Sequence, residues 1–342
     1  MRTAALGIGI CLISAGPVLA AGTAKTPLAA PAAIALPGGE GGIGFDDLGF
    51  SRTHAKVLVP GGRTGMLYFV DPATSKVTSI SGFSTVKEFS GGHDDGITSV
   101  AEGAGLLFVT DRTREDLSLI DPATKSVVSR TPLGASPDYV RWVEPTHELW
   151  VTEPDSERFE VYRLEDGKPP RVARVATVAV NEGPESLILD VKRRRAYTHI
   201  AAGTAAIDLR SHAIVAIWKN DCEEASGVAL DSQRGFLFVA CREGGVNVLD
   251  VATGKVVGSA RLGAGIDIIS YNPDLGHLYV PSSETKTLAI LGVSTGGALS
   301  LLGTFPGTAD SHCVAAAGKV YFCDPVHGRL LAVTDPYPPS MR

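Results

Sequence analysis

GVALDSQRGFLFVACREGGVNVLDVATGKVVGSARLGAG, residues 227–265, decides the fold of this chain. Its apolar residues fall in four short runs, at 228–230, 236–239, 246–249 and 256–260. Between them lie Asp231-Ser-Gln-Arg-Gly235, Arg242-Glu-Gly-Gly245 and Asp250-Val-Ala-Thr-Gly-Lys255, polar and glycine-bearing stretches with the chemistry of turns. The pattern predicts an antiparallel meander of four strands.

The last of these turns recurs upstream as Asp71-Pro-Ala-Thr-Ser-Lys-Val77 and Asp121-Pro-Ala-Thr-Lys-Ser-Val127. Asp followed by Pro suits a type I turn, because the carboxylate can accept from the backbone ahead and Pro presets φ. The second strand of the unit recurs seven times, as Val57-Leu-Val59, Leu107-Phe-Val-Thr110, Leu149-Trp-Val-Thr152, Ala196-Tyr-Thr-His199, Phe238-Val-Ala-Cys241, Leu278-Tyr-Val-Pro281 and Val320-Tyr-Phe-Cys323. A period of about forty to fifty residues is that of a propeller blade. The expected fold is therefore all-β: a seven-bladed β-propeller with four-stranded antiparallel blades.

The two ends of the repeat array are complementary. Residues 31–46 align with the fourth strand and exit loop of the second repeat, so they read as an outer strand without a blade. The seventh repeat supplies strands near 314–316, 320–323 and 330–333 and then stops at Asp335-Pro-Tyr-Pro-Pro339. The strand around Ile34 should complete the last blade, closing the ring and removing an open edge.

The chain has 342 residues, 31 basic and 37 acidic, with a net charge of −6. Arg2, an apolar stretch over 4–13 and the small residues of Val18-Leu-Ala20 predict an export signal over 1–20, followed by an Ala/Thr/Pro-rich tether over 21–31 and one propeller domain over 32–342. A periplasmic or secreted monomer is expected, with no later run long and apolar enough to span a membrane. Lys192-Arg-Arg-Arg195 occupies a turn between first and second strands; in an acidic chain it reads as a solvated turn, and no nucleic-acid partner is expected.

Beyond the signal the cysteines are Cys222, Cys241, Cys313 and Cys323, an even set that in an exported protein favours disulfides. The preferred pairs are Cys222 with Cys241 and Cys313 with Cys323. The second follows from a hairpin around the turn at 317–319, which sets Cys313 nearly opposite Cys323. No CxxC spacing points to structural zinc.

The second strands and the Asp-Pro-Ala-Thr turns resemble the YVTN-type (YncE-like) β-propeller repeat family of secreted and periplasmic proteins. The matching stretches are Phe108-Val-Thr-Asp111 with Leu119-Ile-Asp121, and Phe238-Val-Ala-Cys241 with Val248-Leu-Asp250. The motif's final Asn is replaced by Asp111, Glu153, Cys241, Ser282 and Asp324. The resemblance implies a ligand-binding scaffold.

In a propeller the loop leading into each first strand opens on the central channel. Here those loops carry Asp46, Asp94 and Asp95, Asp138, Glu185, Asp267 and His312, with Glu224 near Ser226 and His93 at the rim. Second-strand ends add Asp111, Glu153, His199 and Asp324, with His327 nearby. Such a ring of like charge is costly unless hydrated, protonated or neutralised by a cation. The expected function is binding of a small cationic or metal-associated ligand, or a protein partner, in this acidic funnel. The alternative is a lactonase-like hydrolase or lyase using one divalent metal ion, with Asp138, Glu185, Asp267 and His312 as candidate ligands and His93 or His312 as candidate base. No G-x-S-x-G, HExxH, P-loop, dinucleotide or CxxCH motif is present.

Overall fold

The computed structural model describes residues 28–340. Seven four-stranded antiparallel sheets follow one another along the chain, six in simple meander order. The stretch quoted first is the fifth, with strands Ala225–Asp231, Phe236–Cys241, Gly245–Asp250 and Lys255–Arg261. The seventh sheet takes Val314–Ala317, Lys319–Asp324 and Arg329–Val333 from the end of the chain and Ala32–Ala35 from its beginning. Ala32 faces Ala332 and Ile34 faces Leu330, so the ring is closed as expected. Ile34 and Leu36 are 5% and 3% exposed, which makes the closing strand part of the core.

One position explains how neighbouring blades pack. The third residue of each second strand is Leu58, Phe108, Trp150, Tyr197, Phe238, Tyr279 or Tyr321, and all seven are buried. Each lies against the following blade: Leu58 with Leu107 and Val109, Phe108 with Leu149 and Val151, Tyr197 with Leu237 and Val239, Tyr279 with Val320 and Phe322. A bulky ring contributes about 150–250 Å² of buried surface, which suits a wedge between two twisted sheets.

The turns behave as their sequence implies. Asp71 Oδ1 accepts from the N–H groups of Ala73 and Thr74, Asp121 from Ala123 and Thr124, and Asp250 from Ala252 and Thr253. The fifth residue of each turn has positive φ, 59° at Ser75, 55° at Lys125 and 69° at Gly254; only the last is a glycine. In the basic turn, Arg193 bonds Asp190 at 2.8 Å and Arg195 bonds Asp208 at 2.5 Å, so its charges are drawn into neighbouring turns. Among the described residues no helix is long and apolar enough to cross a membrane.

The expected export signal lies outside the described residues, as does most of the tether; Leu28 packs against the seam between the sixth and seventh blades. Cys222 and Cys241 are bonded, with sulfurs 1.96 Å apart. Cys313 and Cys323 correct the expectation of a second disulfide: both are buried thiols. They stand opposite each other, but Cys323 N–H donates to Cys313 O at 3.1 Å, which makes them a hydrogen-bonded pair of the ladder. Cβ atoms at such positions sit toward the wide end of about 4.5–5.5 Å, whereas a disulfide needs about 3.5–4.5 Å.

Candidate functional site

Backbone bonds link the incoming loops of neighbouring blades around the channel. Asp47 N–H donates to Thr98 O at 3.2 Å and Ile268 N–H to His312 O at 2.9 Å. Thr98 Oγ1 donates to Asp138 O at 3.1 Å, and Thr110 Oγ1 from the adjoining strand reaches the same oxygen at 3.2 Å. Arg63 holds the first loop by donating to Gly42 O at 2.7 Å and Glu40 O at 2.8 Å. Gly44 is closed over by the next loop: a Cβ there would stand 2.4 Å from Gly92 O. That close approach sets Asp46 beside His93.

The tightest cluster at the mouth is Asp46, His93 and Asp138, whose candidate ligand atoms all lie within 4.8 Å of one another. Asp46 and Asp138 are 3% and 5% exposed, and Asp46 Oδ2 and Asp138 Oδ1 are shut from solvent without a hydrogen bond. His93 Nδ1 is 3.4 Å from Asp46 Oδ2, and Arg112 Nη2 is 3.7 Å from Asp138 Oδ1. Burial pushes the Asp138 carboxyl well above the usual range and the Asp46 charge adds to the shift. Burial works against ionisation of Asp46 too, but the His93 charge, hydrogen bonds with His93 and Asp138 and the Arg112 charge together outweigh it and hold that carboxyl low. Two carboxylates sharing one site do not ionise together at low cost, so Asp138 is the member of the pair that keeps its proton to higher pH.

His93 is raised by the Asp46 charge. Its Nδ1 is also 3.1 Å from Arg112 Nη1, which can only donate. One nitrogen cannot both accept from Arg112 and donate to Asp46. The buried carboxylate favours donation, and Arg112 Nη1 has His93 O at 3.4 Å and Asp94 Oδ1 at 3.3 Å as acceptors.

Across the mouth, Glu185 and Asp267 share Arg242, which is 3.5 Å from Glu185 Oε1 and 3.1 Å from Glu224 Oε1. Burial, then the Asp267 charge, pushes Glu185 up to about 7 against the pull of Arg242. Two recesses meet at Arg242. One of about 260 Å³ is lined by His93, Asp267 and His312, and one of about 270 Å³ by Glu182, Glu185 and His199. His312 Nε2 faces Phe45 O at 2.8 Å, and Nδ1 faces Asp310 O. Both partners are acceptors, so the imidazole is drawn toward its doubly protonated form. Consistent with this it is raised: burial opposes the charge, while Cys323 and Asp267 favour it.

Asp46, His93, Asp138, Glu185, Asp267 and His312 are thus brought to one mouth. Asp94 is not part of the cluster, its side chain being 89% exposed with only Arg112 as ion partner, and Asp95 is half-buried in the same loop. The four expected metal ligands Asp138, Glu185, Asp267 and His312 do not converge on one point; the close groups are Asp46/His93/Asp138 and His312/Cys313/Cys323.

The second-strand ends do something else. Asp111 Oδ2 accepts from Ser84 N–H at 2.8 Å, Glu153 Oε1 from Ala135 N–H at 3.2 Å, Ser282 Oγ donates to Ala264 O at 2.6 Å, and Cys241 is bonded to Cys222. In each case the partner lies in the loop arriving from the preceding blade. Asp324 bonds His327 and Arg329 of its own hairpin, and burial pushes the His199 imidazole down to about 4, in contact with Thr204 Oγ1 and Gly227 O. These residues are structural ties, and of them His199 also lines the second recess.

Arg112 and Arg242 were missed by sequence reasoning, although their position was a signal. Each is the residue after a second strand, and their N–H groups make equivalent bonds, to Gly96 O at 2.8 Å and Glu224 O at 2.9 Å. Asp47, next to Asp46, was missed too. It is held by Arg141 at 2.5 and 3.0 Å and by Ser99 Oγ at 2.6 Å, lining a deeper cavity of about 230 Å³. Tyr139 stands between the layers, within reach of the charges of Asp46, Asp138, Asp267 and Asp47.

Solved propellers superpose on the whole ring. A chain of the Mitotic Checkpoint Complex matches with a TM-score of 0.71 at 15% identity, over 94% of this chain and 100% of that one. The Cps50 (Swd1) β-propeller domain of Myceliophteria thermophila matches at 0.68 and 12%, over 84% and 96%. Hydrazine Synthase of Kuenenia stuttgartiensis matches at 0.66 and 13%, over 92% and 99%. No protein-family model and no curated protein matches the chain. At these identities the likeness is one of fold.

Proposed function

We propose that this propeller is a binding protein whose channel mouth takes a small polar ligand carrying an ammonium-type group. The observation that carries this is the pair of buried carboxyls, Asp46 and Asp138, whose ligand atoms converge with that of His93, a residue that lines the recess of about 260 Å³. A hydrogen bond to a charged group contributes about 1.5–3 kcal/mol, so a donor that reaches the Asp46 carboxylate through this recess is held there. Arg112 and Arg242 neutralise part of the acidic ring and leave cationic groups at the rim, where an anionic part of the same ligand would sit.

A hydrolytic metal centre is the less favoured use of this mouth, because Asp138, Glu185, Asp267 and His312 do not form one close group. The Cys222–Cys241 bond supports an oxidising compartment, as do the export signal expected over residues 1–20 and the likeness of the blade motif to YVTN-type proteins. The partnership of other propellers with proteins in large assemblies supports a protein partner as the second occupant of this face.

Isothermal titration calorimetry with putrescine, arginine and Ca²⁺ as probes tests the proposal. The ammonium and guanidinium probes should bind the wild type, and Asp138→Asn with Glu185→Gln should weaken them at least tenfold while circular dichroism stays unchanged. Equal binding by the folded double variant, or no binding of either organic cation by the wild type, refutes it.

A further inference from the structure

Beside the mouth, on the last blade, lies a group of a different chemical kind. His312, Cys313 and Cys323 each offer one ligand atom, and these lie within 4.8 Å of one another. The thiols are 0% exposed, and His312 lines the recess of about 260 Å³. Cys323 Sγ accepts the N–H groups of His312 at 3.3 Å and Cys313 at 3.1 Å. Two main-chain donors aimed at one sulfur stabilise its thiolate.

We propose that His312, Cys313 and Cys323 form a binding site for one thiophilic d¹⁰ cation, copper(I) or zinc(II), reached through the recess at the channel mouth. The two thiols, not bonded to each other and with ligand atoms within 4.8 Å, suit a metal between them, since two metal–sulfur bonds of about 2.3 Å span up to about 4.6 Å. Two thiolates and an imidazole are the donor set that soft and borderline ions select. His312 has the outer support such a ligand needs. When one ring nitrogen turns to the metal, the other keeps a backbone carbonyl, Phe45 O or Asp310 O, as its acceptor, which fixes tautomer and ring orientation. Binding displaces the thiol protons of Cys313 and Cys323, and the proton on the ligating nitrogen of His312, to solvent. The nearby Cys222, Cys241 and Glu243 group is not equivalent, because its two sulfurs are already bonded to each other. The site does not depend on the small-ligand function proposed for the mouth.

The test is anaerobic titration of the full, folded protein. Copper(I) is offered in competition with a chromophoric chelator, and cobalt(II) serves as a spectroscopic stand-in for zinc(II). The wild type should withhold one equivalent of copper(I) from the chelator or, if the site prefers zinc, give one equivalent of cobalt(II) with thiolate-to-metal charge-transfer bands in the near ultraviolet. Cys313→Ser and Cys323→Ser should each weaken binding at least a hundredfold and abolish the bands; His312→Gln should weaken it at least tenfold while the bands persist. The wild-type spectrum needs no variant to fold. Neither copper retention nor thiolate bands in protein whose Cys313 and Cys323 both alkylate after unfolding overturns the proposal. One-equivalent binding that survives in both serine variants also overturns it, as does a Cys313–Cys323 disulfide in the natively purified protein.

Discussion

Cys222→Ser together with Cys241→Ser removes the one covalent member of the set of ties between second-strand ends and the loops that precede them. The bond joins residues separated by 19 in sequence. Loop-closure entropy for a ring of that size gives about 3 kcal/mol, and spreading this over the unfolding entropy of about 310 folded residues gives a fall in Tm of about 5 °C. The rest of the tie survives the change, because Asn247 Nδ2 still donates to Asn220 O at 2.8 Å and holds the arriving loop near its strand. The same position in the next blade makes a hydrogen bond in place of the covalent bond, Ser282 Oγ to Ala264 O at 2.6 Å, so Ser282→Ala should cost about 1 kcal/mol. Denaturant unfolding followed by tryptophan fluorescence, on oxidised wild type and both variants, measures the two losses. A double-cysteine variant within half a kilocalorie per mole of wild type, or no more affected than Ser282→Ala, would refute the assignment of a covalent tie.

Deleting residues 28–36 should uncover the outer edge of the last blade and the buried faces of Ile34 and Leu36; size-exclusion chromatography should then show self-association, and a monomer with wild-type stability would count against closure by this strand. Glu185 gives a pH signature. Its folded carboxyl is raised from 4.5 to about 7, so the neutral form is favoured by folding; the associated stability is complete below pH 4.5 and is lost as pH rises to about 7. Measured by Tm across pH 4 to 8, Glu185→Gln should therefore gain on wild type over that interval and hold a constant advantage above it, and a pH-independent difference would contradict the shift.

The fold was legible because each blade repeats the same local chemistry. Apolar runs of period two, Asp-led turns and one bulky residue per second strand all point to the same element, and the mismatch between the two ends of the chain implied the closing strand. The mouth was legible only by position. Counting into the incoming loops found Asp46, Asp138, Glu185, Asp267 and His312, but not the neutralising partners Arg112, Arg141 and Arg242, whose roles depend on which blades are neighbours across the channel. Second-strand ends such as Asp111 and Glu153 carry the same residue types as the mouth. What separates them is the direction of the side chain, toward the preceding blade and not toward the axis, and residue type carries no record of that. The Cys313–Cys323 pair was placed correctly across its hairpin and misread chemically, because opposition on a ladder does not say whether the pair is the wide or the narrow kind.

The closing strand also sets the order of assembly. Six of the seven sheets are built from consecutive residues and can form as soon as their own stretch of chain exists, with short loops to close. The seventh waits for Arg329–Val333, the last strand of the described residues, to meet Ala32–Ala35, the first of them. Closing so long a loop adds only about 0.6 kcal/mol for each doubling of its length, so the wait is kinetic far more than thermodynamic. Throughout synthesis Ala32–Ala35 has no partner, and the incoming loop that carries Asp46 is fastened on one side only. A chain that stops before residue 329 therefore keeps six formed blades and still lacks a finished channel mouth.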